Sequence, residues 1–309
     1  MSAPMPVANE INLIEDFLPV LDEIYMAESK TAFLDADPGL VRETLDAKTI
    51  LIPERVMTGL MDYNRNEGYK RGRVDMEWYP HKFEQDRGTT FTVDYADNLE
   101  TAMLAFTDLG AEFIRKHVSP ELDAYRISRY ATLAGHTTSG ALTAANVVGE
   151  ITDAITALEN DEVPTENMFI FMTPAARALL ALNVTIGKSR SVDRSGSSPL
   201  NIDVHEWNDM PIITVPPRRM ATEFFFRDGE AAGQEDGGFE IAPGAERVDF
   251  LILSPDAVIQ IVKRNAQKII TPELNQFGDA WQLGYRLYHD AFVTKNRAAG
   301  IYAHTSPIV

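Results

Sequence analysis

The chain has 309 residues, 45% of them hydrophobic and 24% charged, and it carries a formal net charge of -18. That balance is typical of a folded globular protein, and the length suits about two compact units. The negative charge disfavours binding to nucleic acid, which depends on clustered Lys and Arg. The absence of cysteine excludes disulfides and thiolate nucleophiles and suits a reducing cytoplasm.

The first 50 residues are predicted to form an arm with short helical pieces. Its apolar residues recur at helical spacing, at Ile11, Ile14, Phe17, Leu18 and Leu21. Pro38-Gly39 signals a turn at the end of this region. No apolar run in the chain is long enough to span a bilayer, and the first residues do not resemble a secretion signal, so no membrane association is expected.

A long β-hairpin is predicted over residues 69–94. Its strands would be 71–82 and 89–94, and Asp86-Arg87-Gly88 between them is typical of a polar turn in which Gly supplies a positive φ. Four basic residues crowd the base of this hairpin in an otherwise acidic chain: Arg65, Lys70, Arg71 and Arg73. They form either a solvated face or a positive contact for an acidic surface on a neighbouring copy.

A long amphipathic helix is predicted after the hairpin. Asp97-Asn98 is typical of an N-cap, and apolar residues over 99–113 recur at spacings of three and four. Ser119-Pro120-Glu121 is typical of a cap followed by proline in a first turn. The helix is therefore expected to kink or restart there and to continue to about Tyr130.

Residues 137–256 are predicted to form a compact mixed α/β domain. Its predicted elements are helices over 142–158 and 174–181, strands over 168–172, 212–215 and 250–253, and loops over 189–198 and 229–238. Strand character returns near the end of the chain, over 268–270, 281–293 and 300–303.

The sequence contains no motif that specifies catalysis, a metal or a cofactor. Gly187-Lys188-Ser189 is similar to the end of a phosphate-binding loop, but Leu182 stands where that loop requires Gly. The acidic stretches lack the ligand spacing of a calcium loop, and the six histidines occur singly. We therefore predict no catalytic, metal-binding or cofactor-binding residues, and no enzyme activity.

An arm and a hairpin that project from the body would gain burial only by lying across neighbouring copies. A lone two-stranded hairpin is marginally stable, and its edges present unpaired backbone groups. Heterologous contacts between identical copies can close into rings. The alternative is that both elements fold back on their own domain, and these general arguments leave both possibilities open.

Several segments, none of them specific alone, follow one another in a recognisable order. They are residues 85–94 with Asp97-Asn98, 112–126, 210–216 with Arg219-Met220, 254–259, and 285–290 with 300–302. In this order they resemble the major capsid proteins of tailed phages with the Hong Kong 97-like fold. The first segment is similar to that family's extended loop leading into the spine helix, and the second is similar to the spine helix.

The resemblance implies an α+β fold with an N-terminal arm, an extended β-hairpin loop, a peripheral domain holding a long spine helix, and an axial domain. On this sequence the implied boundaries are 1–50 for the arm, 51–97 for the extended loop and start of the peripheral domain, 98–136 for the spine helix, 137–256 for the axial domain, 257–298 for the peripheral strands, and 299–309 for a strand returning to the axial domain.

The function implied by the resemblance is structural. Many copies would form the hexamers and pentamers of an icosahedral head, assembled in the host bacterial cytoplasm, that encloses double-stranded DNA without sequence-specific binding. A scaffolding protein and a portal would be partners, with a decoration protein as a further candidate. Two alternatives stay open: an encapsulin-like shell around an enzyme, and a monomeric hydrolase that uses carboxylates.

The residues predicted to make contacts between subunits lie in and beside the predicted hairpin. They are Arg65, Lys70, Arg71, Arg73, Asp86, Arg87 and Gly88. An exposed turn contributes little to the stability of its own domain, so Arg87→Glu is expected to impair assembly and to leave the subunit folded.

Overall fold

The computed structural model describes residues 28–35, 42–43, 48–66, 68–95, 104–165, 167–183 and 206–308. Four sequence predictions lie outside these ranges: the helical pieces at 11–21, the turn at Pro38-Gly39, the N-cap at Asp97-Asn98 and the loop at 189–198. The described residues form helices and several separate sheets, so the expectation of an α+β fold is confirmed.

The elements follow one another in chain order. The strands are β1 Arg42–Glu43, β2 Thr49–Met57, β3 Val74–Lys82, β4 Gln85–Asp94, β5 His136–Ser139, β6 Phe169–Met172, β7 Glu206–Trp207, β8 Met210–Thr214, β9 Phe224–Phe226, β10 Phe239–Ile241, β11 Glu246–Leu253, β12 Val258–Ile270, β13 Ala280–Val293 and β14 Ile301–Pro307. The α-helices among the described residues are α1 Leu104–Phe113, α2 Ser119–Thr132, α3 Val147–Asn160 and α4 Pro174–Leu182.

A six-stranded sheet with the order β5-β14-β11-β6-β8-β7 carries most of the core. Side chains of β11 alternate between its two faces, as the two-residue period of a strand requires. Phe250 and Ile252 pack with α3 and α4, and Leu251 and Leu253 pack with α2 on the other side. Because both faces are covered, the run at the end of β11 is continuously apolar, as the sequence shows.

The long helix runs from Leu104 to Thr132 without a break. Residues Ile114–Val118 form a π turn between α1 and α2, and the Ser119 N–H donates to the Ile114 carbonyl. Pro120 has no N–H to donate, so it cannot make the usual hydrogen bond of a helix interior. The wider π turn before it accommodates the proline, and the helix continues beyond it. The predicted cap at Ser119 is wrong, because Val118 before it is helical and the Ser119 hydroxyl has no hydrogen-bond partner among the described residues.

A three-stranded sheet with the order β12-β13-β4 lies beside the long helix. Tyr285 and Leu287 on β13 pack against Ile114 and Leu122 of the helix. The predicted strands at 268–270 and 281–293 are confirmed: the first is the end of β12, the second is nearly all of β13, and the two strands pair antiparallel.

The hairpin itself differs from the sequence prediction. β3 pairs with the preceding strand, from Thr49 opposite Lys82 to Met57 opposite Val74. β4 pairs instead with β13, where Asp86, Arg87 and Gly88 stand opposite Tyr288, Leu287 and Arg286. The predicted turn at 86–88 is therefore wrong: these residues lie inside a strand, and the hairpin is β2–β3.

Gly88 has a packing role rather than a turn role. A Cβ at Gly88 would lie 2.7 Å from the Tyr285 carbonyl oxygen, closer than such atoms approach. Glycine in a strand often marks such a close approach of two backbones. Local sequence cannot distinguish this use of glycine from its use in a turn.

Gly88→Ala is expected to lower the free energy of unfolding by roughly 1–3 kcal/mol, because the added methyl group must displace the β13 backbone. Gly284→Ala, in the facing strand, is the matched control, since its nearest neighbour would be the Lys268 carbonyl oxygen at 3.6 Å. Urea denaturation of both variants checks the difference. Equal stability of the two would contradict the close packing at Gly88.

Candidate assembly surface

The β2–β3 hairpin extends from the body. Each of its strands has nine residues, which at about 3.3 Å per residue gives a length of roughly 30 Å. We call residues 58–73, which join the two strands, the hairpin tip. The Thr58 N–H donates to the Arg73 carbonyl (3.0 Å) and the Arg73 N–H donates to Thr58 Oγ1 (2.9 Å), so the base of the tip is closed by hydrogen bonds.

Large apolar side chains on this hairpin are exposed. Leu60 is fully exposed and Tyr69 is 90% exposed, and the Tyr63 and Tyr69 rings pack on each other with centroids 4.9 Å apart. Further exposed side chains on the hairpin and its tip are Met57, Met61, Tyr63, Val74 and Met76. A grouping of this kind on a projecting element is typical of an interaction surface.

The four basic residues lie at the opposite end of the hairpin from the one predicted. Arg65, Lys70, Arg71 and Arg73 belong to the tip, and all four are exposed. Arg73 pairs with Asp75 at 2.5 Å. Their predicted contact with a neighbouring copy stays a prediction.

Asp86 is used within its own subunit. It accepts two hydrogen bonds from Arg286 on β13, at 2.8 and 2.6 Å. The hydrogen bond from Arg286 is the main reason why the pKa of Asp86 lies below its ordinary value, and it raises the pKa of Arg286. The pair joins β4 to β13, and the predicted contact of Asp86 with a neighbouring copy stays a prediction.

Arg87 connects three elements of its own subunit. Its guanidinium pairs with Glu121 on α2, donates to the Arg227 carbonyl (2.9 Å) and donates to the Gly238 carbonyl (3.2 Å). Arg227 and Gly238 are the two ends of the loop between β9 and β10, which we call the acidic loop. One side chain therefore fixes both ends of this loop against β4 and the long helix.

Burial affects the pKa of Glu121 more than its ion-pair partner Arg87 does. Loss of solvent raises the pKa of Glu121, and the Arg87 guanidinium acts in the opposite direction. Removal of Arg87 would therefore leave a poorly solvated carboxylate without its counter-ion.

Arg87→Glu is now expected to destabilise the subunit, contrary to the expectation from the sequence. A second carboxylate facing Glu121 should lower the free energy of unfolding by roughly 2–3 kcal/mol, less than for a fully buried pair. Arg87→Lys keeps the charge but loses the forked donors, so its free energy of unfolding should lie between those of Arg87→Glu and the wild type. Thermal unfolding and protease cleavage within the acidic loop measure the effect, and a wild-type melting transition in Arg87→Glu would contradict it.

A buried polar cluster, missed from the sequence, attaches residues 29–31 to the long helix. Asp123 on α2 has no solvent exposure, and its carboxylate accepts hydrogen bonds from Ser29 Oγ (2.7 Å) and Thr31 Oγ1 (2.7 Å). Arg219 also donates to Asp123, at 3.0 Å. These hydrogen bonds fix the position of Ser29 and Thr31 on the long helix.

Arg126, one helical turn after Asp123, extends the same cluster. It is fully buried, donates to Thr31 Oγ1 at 3.1 Å and pairs with Asp35 at 2.5 Å. Ser, Thr and Asp residues distant in sequence carry no local pattern that would have predicted the cluster.

The tip of the β12–β13 hairpin is a second exposed apolar site. Leu274 is largely exposed and Phe277 almost completely so. Within the described part of the chain, no three His, Asp or Glu side chains are grouped so that they could hold a metal ion. None of the helices described is both long and apolar enough to cross a membrane.

Solved structures share this architecture. A chain in the mature capsid of bacteriophage PhiM1 is 12% identical, with a TM-score of 0.60 over 89% of this chain and 90% of that one. A chain in the capsid structure of the cyanophage P-SCSP1u is 12% identical, with a TM-score of 0.58 over 87% of this chain and 86% of that one. The chain has a phage-capsid fold.

A third solved structure with a similar fold comes from Gordonia phage Cozz. It is 12% identical, with a TM-score of 0.58, and the match covers 91% of this chain and 87% of that chain. No protein-family model and no curated protein sequence matches the chain. The fold thus agrees with the resemblance found in the sequence, although the sequence identity to each of these three structures is only 12%.

Proposed function

We propose that this chain is a structural major capsid subunit that assembles with identical copies into the shell of a phage head. The β2–β3 hairpin carries this proposal, because it projects from a phage-capsid fold and presents large apolar side chains to solvent. Covering these side chains with a neighbouring copy is favourable in proportion to the apolar area removed from water. The role is structural rather than catalytic.

The finer organisation is proposed on the same basis. The long helix and the β12-β13-β4 sheet would belong to the peripheral domain, and the six-stranded sheet with β14 would belong to the axial domain. Copies would form hexamers and pentamers of an icosahedral shell around double-stranded DNA. The net charge of -18 supports a wall that does not adhere to the DNA it encloses. A scaffolding protein and a portal would take part in assembly.

Expression of the chain alone, and together with the scaffolding protein of its own source, tests this function. We expect closed particles or capsomers by sedimentation and negative-stain electron microscopy. Monomers alone, over a range of salt and protein concentrations, would refute the proposal. Nuclease-protected DNA of genome length in particles from the natural source distinguishes a phage head from an encapsulin-like shell that encloses an enzyme.

A further inference from the structure

Methionine is distributed unevenly between the body and the β2–β3 hairpin. Within the described ranges, the methionines of the body are buried in the core: Met168, Met172, Met210 and Met220. The others lie on the hairpin and its tip, and between 47% and 68% of each side chain is exposed: Met57, Met61 and Met76. We call these three the hairpin methionines. Among the described residues, exposed thioether groups are therefore confined to one projecting element.

The two hairpin methionines on the strands share one face of the ribbon. Side chains that stand opposite each other in an antiparallel pair point to the same face, as do side chains two apart along a strand. Met57 stands opposite Val74, and Met76 follows Val74 by two residues. Val74 is itself 67% exposed, and the residues at 75 and 77, on the other face of β3, are acidic. The two thioethers and Val74 thus form an exposed apolar patch next to the tip.

An exposed thioether can be oxidised reversibly. The chain has no cysteine, so thioethers are its only sulfur groups. A peroxide transfers one oxygen atom to the sulfur: the O–O bond breaks, an S–O bond forms, the sulfur gives up two electrons, and the rest of the peroxide leaves as water or an alcohol. The product, methionine sulfoxide, is polar and chiral, and methionine sulfoxide reductases convert it back to the thioether.

A sulfoxide on the hairpin would oppose the burial on which assembly depends. Its oxygen atom is bound to water in the free subunit, and covering it without a donor costs free energy. A thioether that is already covered by a neighbouring copy, in contrast, is out of reach of the oxidant. Oxidation and assembly therefore compete for the same three sulfur atoms.

We propose that the hairpin methionines are a reversible oxidation site, and that their oxidation by a peroxide withdraws free subunits from assembly. The inference rests on the proposed function and adds a chemical regulation to it. The assembled shell resists the oxidant because its thioethers are covered. Reduction returns a subunit to the assembling pool: two thiols become one disulfide, and the sulfoxide oxygen leaves as water.

Treatment of the purified, unassembled chain with hydrogen peroxide, followed by peptide mass spectrometry, tests the site. We expect every hairpin methionine to gain one oxygen atom before any of the four core methionines does, because the peroxide cannot reach the core sulfur atoms of the folded subunit. Circular dichroism melting confirms that the treated chain is folded. Equal rates of oxidation for the two groups in the folded chain would overturn the inference.

The effect on assembly is measured after the peroxide has been removed. Under conditions in which the untreated chain assembles, we expect oxidation to lower the assembled fraction by roughly tenfold or more, as seen by sedimentation. Treatment with a thiol and the reductases for both sulfoxide epimers should restore assembly. Undiminished assembly of the oxidised chain would overturn the inference, and so would a chain that mass spectrometry shows to be fully reduced but that still fails to assemble.

Leucine variants assign the effect to the hairpin. Met57→Leu with Met61→Leu and Met76→Leu removes the sulfur atoms and keeps the apolar volume, so this triple variant should assemble both before and after peroxide treatment. Met168→Leu, in the core, is the matched control: it keeps the hairpin methionines and should lose assembly on oxidation as the wild type does. A triple variant that peroxide inactivates as strongly as the wild type would overturn the inference.

If the untreated triple variant does not assemble, the recovery of the oxidised wild type after reduction decides the question. All outcomes that overturn the inference leave the assembly of the untreated wild-type chain intact. Failure of that untreated chain to assemble would instead refute the proposed function, and the regulation with it.

Discussion

Asp123→Ala is expected to lower the free energy of unfolding of the subunit by about 3–5 kcal/mol, the loss typical of breaking a buried ion pair. The variant leaves Arg219 without the carboxylate that it contacts at 3.0 Å. It also removes the acceptor of the Ser29 and Thr31 hydroxyls. These donors are buried, so water cannot easily replace the lost oxygen atoms.

Urea denaturation of the purified subunit measures this loss. Asp123→Asn keeps one acceptor oxygen and the side-chain volume but removes the charge, so it should lose less than the alanine variant. Asp153→Ala, at an exposed carboxylate on α3, is the matched control and should stay within about 0.5 kcal/mol of the wild type. An Asp123→Ala variant as stable as this control would show that the buried cluster does not hold residues 29–31 on the helix.

Periodicity was enough to predict most of the elements. The apolar run at Phe250 and the alternation along 281–293 lie in β11 and β13, and the predicted helix at 174–181 is α4. These patterns are local, because the period of burial reflects the shape of the element itself. The same rule failed at Leu142, since α3 begins only at Val147 after a turn made by Thr143 and Asn146.

Pairing of the strands could not be predicted in the same way. Adjacency in the sequence and the glycine at position 88 predict that β4 forms a hairpin with β3. Its partner is β13, and the bond from Arg286 to Asp86 spans 200 positions. Register is fixed by which face is buried and by the neighbouring strand, and neither is visible in a local segment.

The same limit applies to the charged residues of the candidate assembly surface: the sequence shows which of them are unusual, but it does not show what they contact. The tip residues Arg65, Lys70 and Arg71 stand out in sequence because their charge opposes that of the whole chain. Arg87 stands out for the same reason, yet it serves its own subunit through Glu121 and the acidic loop. Only the packing around a charge distinguishes a residue that is available to a partner from one already engaged.

Replacing two apolar side chains of the hairpin tip should have the largest effect on assembly. Leu60→Ser with Tyr69→Ser removes exposed groups that, apart from the packing of Tyr69 on Tyr63 within the tip, make little contact with their own subunit, so the melting transition should stay unchanged. If a neighbouring copy covers both, the lost burial weakens each contact by roughly 3 kcal/mol. That corresponds to about a hundredfold in the equilibrium constant of one contact.

A shell repeats the contact in every copy, so the weakening acts at each step of growth and particles should disappear rather than become fewer. Analytical ultracentrifugation and negative-stain microscopy, at protein concentrations where the wild type is fully assembled, measure the loss. Leu182→Ser, at a leucine of the body that is also largely exposed, is the control for a general change in solubility. Particles formed by the tip variant at the wild-type concentration would mean that the exposed side chains of the hairpin lie outside the contact, and that the subunits meet through another surface.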